Sequence, residues 1–360
     1  MDAVRRHEVS KRHHGKRAAR RSIRISHSPR DRSPVTYRFQ AVPFTREHLA
    51  ACAALWGDRM AHTSDELALA LNKVDWLLTS GRARGRVIVD EGGAVRGFGI
   101  SAFVDEGFAG RFLASPYPQI GKRLLLDPDL PRLVLDDRQV ARRNGDGGLQ
   151  LVVVNQGFDV DGIGPGGRPP LAGTSMQSFF DLHRGFNIAR IINEAFGDEA
   201  VAVLESVQPA TIYRFVVPTH TGATLAAGTW TLSREEAERQ AGLILPMFTY
   251  RKPYLNFSAG ERRVLQAALD GSTDASVAVS LGLSIHAVKA TWTRVLRRIA
   301  EKEGLLCNRI GALRGDGPRR GAQVRHLIVE YVRQNPSELT PYAHASATVR
   351  ARAPLPQTRR

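Results

Sequence analysis

The run from Ser284 to Glu301 can shield its apolar side chains in only one regular form, an amphipathic helix. Ile285, Val288, Trp292, Val295, Leu296 and Ile299 recur along one helical stripe. The opposite side carries His286, Ala290, Thr293, Arg294 and Arg297, with Lys289 and Arg298 on the flanks. Ser284 can cap this helix. Upstream, Ser258 can cap a helix bearing Val264, Leu265, Ala268 and Leu269, which Gly271 stops. Asp274–Leu281 reads as a short helix, and Gly282-Leu283 as the turn that follows. A short helix, a glycine turn and a longer helix with a basic outer face form a helix-turn-helix arrangement. The stripe holds the second helix on the first two. Its outer face is then free to enter a major groove.

The charge distribution agrees with that reading. Residues 1–36 carry net +8, residues 37–256 net −1 and residues 257–360 net +9. A neutral middle between basic ends fits a regulatory module with polyanion-facing termini, and nucleic acid is the expected polyanion. No stretch approaches the roughly 18 apolar residues of a membrane helix, so no membrane partner is expected. The first residues lack the apolar segment of a secretory signal. Two cysteines, Cys52 and Cys307, exclude a disulfide scaffold and suit a reducing, cytoplasmic setting.

Residues 1–36 hold few large apolar side chains and read as a disordered basic arm. A mixed α/β module is expected over 37–250. Tyr37–Val42 alternates like a strand, and Thr45 can cap a helix through Trp56. A second helix is predicted from Ser64 to Leu78, with Leu67, Leu71, Val74 and Leu78 on one stripe. Gly85–Asp90 and Ala94–Val104 flank Glu91-Gly92-Gly93 as a hairpin. Leu149–Val154 suits a buried strand. Residues 175–196 read as helical, and Ala200–Leu204 and Thr211–Val217 as strands. Ser233-Arg234-Glu235-Glu236 is a capping box opening a helix toward Leu245. Arg251-Lys252-Pro253 marks the expected boundary. Residues 304–342 are expected to add one helical extension, with Val324, Leu327, Ile328, Tyr331 and Val332 on its apolar face, and 343–360 to be disordered.

Two family resemblances follow from these residues. Phe257-Ser258-Ala259-Gly260-Glu261-Arg262-Arg263-Val264-Leu265 is similar to the opening of LuxR-type DNA-binding domains. Their pattern there is Leu-Thr-x-Arg-Glu-x-Glu-Val-Leu. Leu281-Gly282-Leu283-Ser284 matches the family's Leu-x-Ile-Ser. Val288-Lys289 matches its Thr-Val-Lys, with Ala287 in place of Thr. The resemblance covers about residues 255–303. It implies a four-helix domain acting as a homodimer on near-palindromic double-stranded DNA. Tyr37–Phe39, Thr45–Leu49 and the 85–104 hairpin resemble the first elements of the GNAT acetyltransferase superfamily. Gln119-Ile120-Gly121-Lys122-Arg123-Leu124-Leu125 loosely resembles that superfamily's pyrophosphate loop, with Arg123 where a small residue is usual. Phe179–Phe186 resembles its late helix ending in Gly-Phe.

The expected fold class is therefore α+β, a mixed α/β sensor-like module followed by an all-α helix-turn-helix domain. The expected function is sequence-specific transcription regulation, with the first module sensing a signal, a small-molecule effector among the options, or holding a dimer. The second reading is a GNAT-like acyltransferase using acetyl-coenzyme A, tethered to DNA. His286, Lys289, Ala290 and Thr293 are assigned to bases, and Arg294, Arg297 and Arg298 to phosphates. No cofactor, catalytic set or metal set is assigned. His183 and His220 have no partner at ligand spacing, Asp136-Asp137 reads as surface charge, and Gly162–Pro170 as a surface loop.

Overall fold

Alternating and β-branched segments build a seven-stranded sheet in the computed structural model of this chain. The structure describes residues 37–56, 63–159, 161–206, 211–219, 222–240, 242, 244–269, 271–302 and 321–343. The N-terminal arm, the tail beyond 343 and His220 lie outside them. The strands are β1 (Phe39–Pro43), β2 (Ala83–Asp90), β3 (Val95–Val104), β4 (Leu149–Phe158), β5 (Ile188–Phe196), β6 (Thr211–Pro218) and β7 (Thr224–Ser233). Their spatial order is β1-β2-β3-β4-β5-β7-β6. Only β4 and β5 run parallel; the other neighbours are antiparallel. A parallel pair needs a crossover, and α7 (Arg168–His183) supplies it.

One face of the sheet carries α1 (Leu49–Trp56), α2 (Ser64–Thr79), α3 (Glu106–Ala114), α4 (Ile120–Leu126) and α5 (Leu130–Leu133). Trp56, Val74, Leu77, Phe98, Phe112 and Leu124 form its core. On α2 the stripe is rotated from the predicted one, because Ala70, Val74 and Leu77 are buried while Leu67 and Leu71 are only half-buried. The other face is covered by α6 (Asp137–Gly145), α7 and α9 (Arg234–Gln240), around Phe103, Leu151, Ile191, Trp230 and Leu232.

Several expectations are corrected. The helix expected to reach 196 stops at His183. Gly185 takes φ 89°, a turn that L side chains avoid, and Ile188, Ile191 and Ile192 continue as β5. Residues 200–204, expected as a strand, lie in α8 (Asp198–Ser206). A short apolar run fits either form, and packing decides it. The helix from Ser233 ends at Gln240 rather than near Leu245.

The C-terminal helices are α10 (Ala259–Leu269), α11 (Asp274–Leu281), α12 (Ile285–Glu301) and α13 (Gly321–Gln334). Thr273 accepts the Ser276 N–H at 3.2 Å and caps α11. Gly282, at φ 62°, closes it. Ser284 accepts the Ala287 N–H at 3.1 Å and caps α12. Val264, Leu265, Val277, Val288, Trp292, Val295 and Ile299 pack together, and Ile328 and Val332 of α13 complete the core. Ile285 does not belong to the buried stripe; it is 46% exposed at the open end of α12. Trp292 donates through Nε1 to Asp274 at 3.2 Å, and the Arg325 guanidinium lies 5.1 Å from its ring centre.

Among the described residues these helices and the sheet belong to one compact unit, tied together by side-chain contacts. Arg262 pairs with Asp137 at 2.9 Å. Asn144 Nδ2 donates to the Pro341 carbonyl at 2.6 Å. Buried Glu338 accepts the Leu255 N–H at 2.8 Å and the Tyr331 hydroxyl at 3.0 Å.

Truncating Trp292 empties the centre of the helical core. Trp292→Ala should lower stability by about 3–5 kcal/mol, read from denaturant unfolding followed by far-UV circular dichroism. A loss below about 1 kcal/mol, the scale of a surface change, would contradict the assigned packing.

Candidate functional site

The sheet opens at its centre. β4 and β5 pair only from Leu149–Ile188 to Val152–Ile192. Beyond that, β4 stays on β3 as far as Phe158, while β5 stays on β7 as far as Phe196. The cause is local. Ile100 pairs with Asn155 and Ser101 with Val153, so Val154 is an extra residue on β4. Such a bulge bends its strand and raises its twist. Backbone groups of 153–158 and 193–196 therefore face each other without a ladder. The Gln156 side chain spans part of the gap. Its Nε2 donates to Asn193 Oδ1 at 3.3 Å and to the Glu194 carbonyl at 3.2 Å.

Glu194 stands beside this opening. Its side chain lies on the face covered by α3 and α4 and is 7% exposed. The carboxylate accepts the N–H groups of Gln119 and Gly121 at the start of α4, and Thr229 Oγ1 donates to it at 3.3 Å. Burial pushes its pKa up to about 7, against the downward pull of the helix amides and Thr229. It thus titrates near neutrality. Tyr117, also raised by burial, lies close enough to sense the Glu194 charge, and Arg123 stacks 4.6 Å from its ring centre. Tyr117, Lys122, Arg123 and Phe108 border an open pocket of about 530 Å³.

This geometry corrects the assignment of Gln119–Leu125. The segment precedes β4, and Glu194 already accepts the Gln119 and Gly121 N–H groups at its start. The element that does follow β4 is the Gly162–Pro170 loop, which opens α7. That is where a parallel strand pair presents ligands. Its anion-binding capacity is small, however. Asp159 Oδ1 accepts the Gly162 N–H at 2.7 Å, and Pro165, Pro169 and Pro170 offer no N–H. Asp159 is held by Arg96 at 2.6 Å, and Arg96 by Asp90 at 2.7 Å. Tyr37 lies against Gly164 and Gly167; a Cβ on Gly167 would come within 2.9 Å of its ring.

A second surface lies on α12. His286, Lys289, Ala290, Thr293, Arg294 and Arg297 are all exposed. Val288, Trp292, Val295 and Ile299 point the other way. Arg298 departs from its expected role. It is half-buried, and its Nε pairs at 3.1 Å with Glu261, which is 2% exposed. That guanidinium braces α12 on α10. Arg297 has only a loose, exposed pair with Glu301 at 3.8 Å.

Asp137, expected to be idle surface charge, ties α6 to α10 through Arg262. Asp136 caps α6 by accepting the Gln139 N–H at 2.9 Å. His183 is a core residue. It is hydrogen-bonded to Ser101 Oγ at 2.6 Å and to the Phe179 carbonyl at 2.8 Å, and burial lowers its pKa to about 3. Among the described residues no group of three His, Cys, Asp or Glu side chains could hold a metal ion, and no helix is long and apolar enough to cross a membrane. Glu194 and Gln156 were not foreseen. The only trace in the sequence is a carboxylate inside the apolar run Ile191-Ile192-Asn193-Glu194-Ala195-Phe196.

No family model and no curated protein matches this chain. Solved structures do. The chain is similar to FeeM, an N-acyl amino acid synthase from uncultured soil microbes, at 12% identity, covering 59% of this chain and 98% of that one with a TM-score of 0.34. It is similar to the spermidine/spermine N-acetyltransferase SpeG from Vibrio cholerae at 10% identity, covering 57% and 97%, TM-score 0.32. It is also similar to histone acetyltransferase HPA2 and related acetyltransferase from Corynebacterium glutamicum at 11% identity, covering 53% and 94%, TM-score 0.29.

The Glu194 pKa carries a stability consequence. An unfolded glutamate ionises near pH 4.5, while the folded one holds its proton to about pH 7. Between those values the native state binds more protons, so stability falls as pH rises. The full loss is about 3 kcal/mol. Glu194→Gln should flatten this slope in urea unfolding measured from pH 4.5 to 8. An unchanged slope would contradict a protonated Glu194 in the native state.

Proposed function

We propose that the chain is a GNAT-type acyltransferase that works while its C-terminal helices hold it on duplex DNA. The observation that carries this reading is the divergence of β4 and β5 beside a carboxyl group that titrates near pH 7. Strand edges lacking a ladder partner accept an extended, amide-containing chain by strand addition. The pantetheine arm of acetyl-coenzyme A is such a chain, and its amides can take over the bonds that Gln156 now makes across the gap. Glu194 is the candidate base for an incoming amine, because a group with a pKa near the working pH accepts a proton and releases it again. On this reading most of the affinity comes from the arm rather than the phosphates, because the Gly162–Pro170 loop has few free N–H donors.

Isothermal calorimetry with acetyl-coenzyme A tests binding, and amine acetylation tests turnover. Glu194→Gln should keep binding while slowing transfer by about 10²- to 10⁴-fold. No heat at millimolar acetyl-coenzyme A would remove the reading.

A second reading, a sequence-specific transcription regulator without catalysis, is favoured by the exposed basic face of α12 opposite a fully packed one. On that reading Lys289→Ala weakens specific DNA binding by about 1–3 kcal/mol. Arg297→Ala weakens all sequences alike and lowers the salt slope by about one. Competition between specific and random duplexes reads both. Equal loss on every sequence for Lys289→Ala would count against base contact by that residue.

A further inference from the structure

A cleft of about 920 Å³ lies between the sheet and the C-terminal helices. Arg84 on β2, Leu182 at the end of α7, Phe186, Arg262 and Gln266 on α10, and Leu339 line it. Its volume falls in the range of small-molecule sites. It is separate from the β4–β5 opening, since Glu194 lies on the other face of the sheet.

Arg84 is the unusual group there. Its guanidinium sits 5.0 Å from the ring centre of Phe103 and 4.5 Å from that of Phe186. Among the described residues it has no hydrogen-bond acceptor and no ion-pair partner. The nearest carboxylate that influences it, Asp137, is engaged by Arg262 at 2.9 Å. His183 close by is neutral and adds no acceptor charge. Further arginines, Arg184, Arg263 and Arg333, also line it, Arg184 paired with Asp181 at 3.8 Å and Arg333 with Glu330 at 2.7 Å. Burial is costly enough to lower the Arg84 pKa to about 10.

A guanidinium presents five donors in a planar fork that fits a carboxylate or a phosphate. Arg84 lies within cation–π distance of both rings and lines the cleft. Leu182, Phe186 and Leu339 offer an apolar wall beside it. We propose that this cleft is a binding site for a small organic anion, with its carboxylate or phosphate on Arg84 and its apolar body along that wall. The ligand would bridge the sheet and α10, the first of the DNA-facing helices, and so report a metabolite to them. The inference does not depend on acyl transfer.

Thermal unfolding of the full chain in phenyl phosphate or in benzoate, with chloride balancing ionic strength, tests it. At least one of the two should raise the midpoint in a saturable way, and their relative strength distinguishes phosphate from carboxylate. Arg84→Gln should weaken the apparent affinity at least tenfold. Gln266→Trp, an exposed position on the opposite wall, should also weaken it while leaving Arg84 in place, which guards against a folding defect in the first variant. A midpoint unmoved by either probe at 20-fold excess over about 1 mM, the scale of weak small-ligand binding, would overturn the proposal. So would equal responses in wild type and both variants.

Discussion

Val152 and Ile192 are the last residues to pair across β4 and β5, and much of the architecture follows from where that pairing stops. The extra residue at Val154 turns β4 toward β3 and away from β5. Both strands remain hydrogen-bonded on their outer sides, so the sheet survives with an opening at its middle. The opening leaves strand-edge groups that want partners. Gln156 answers some of them with a side-chain amide. Glu194 then reaches from β5 to the start of α4, which places an ionisable group at the mouth of the gap and holds a short helix in place with it.

Other carboxylates, Glu338 and Glu261 buried and Asp137 exposed beside a largely buried Arg262, do similar work elsewhere. Glu338 binds the backbone of Leu255 and the hydroxyl of Tyr331, fixing the approach to α10. Glu261 holds Arg298, fixing α12 on α10. Asp137 holds Arg262 and joins α6 to the same helix. Each removal would strand a charge or a set of amides away from water, which costs more than the bond itself returns. The C-terminal helices are thereby built onto the sheet, not hung from it. The cleft between them, with Arg84 on one wall and α10 on the other, is a product of that attachment.

The helical segment was the more legible part of the sequence. Its period, its caps at Ser258 and Ser284 and its glycine at 282 are all local signals, and local signals fix helices well. The exception was Ile285, whose position at the open end of α12 is set by the absence of a neighbour, not by spacing. The sheet was legible where hairpins are local, as over 83–104. It was not legible where pairing is distant. β5 looked helical because its isoleucines suit either period, and β7, rich in Thr and Ala, carried little signal. The opening itself depends on a single bulged residue that no periodicity reveals. Glu194 and Arg84 draw their character from what burial does to a charge, and burial is a property of the assembled fold. Arg298 was misassigned for the same reason, since Glu261 lies 37 residues away in the chain.

Hydrogen exchange followed by mass spectrometry addresses the opening most directly. Amides over 153–158 that face β5, and those over 193–196 that face β4, should exchange faster than those over 149–152 and 188–192. Adding acetyl-coenzyme A should slow the first group and leave the second unchanged. Uniform slow exchange along both strands without ligand, or no added protection with it, would contradict the account.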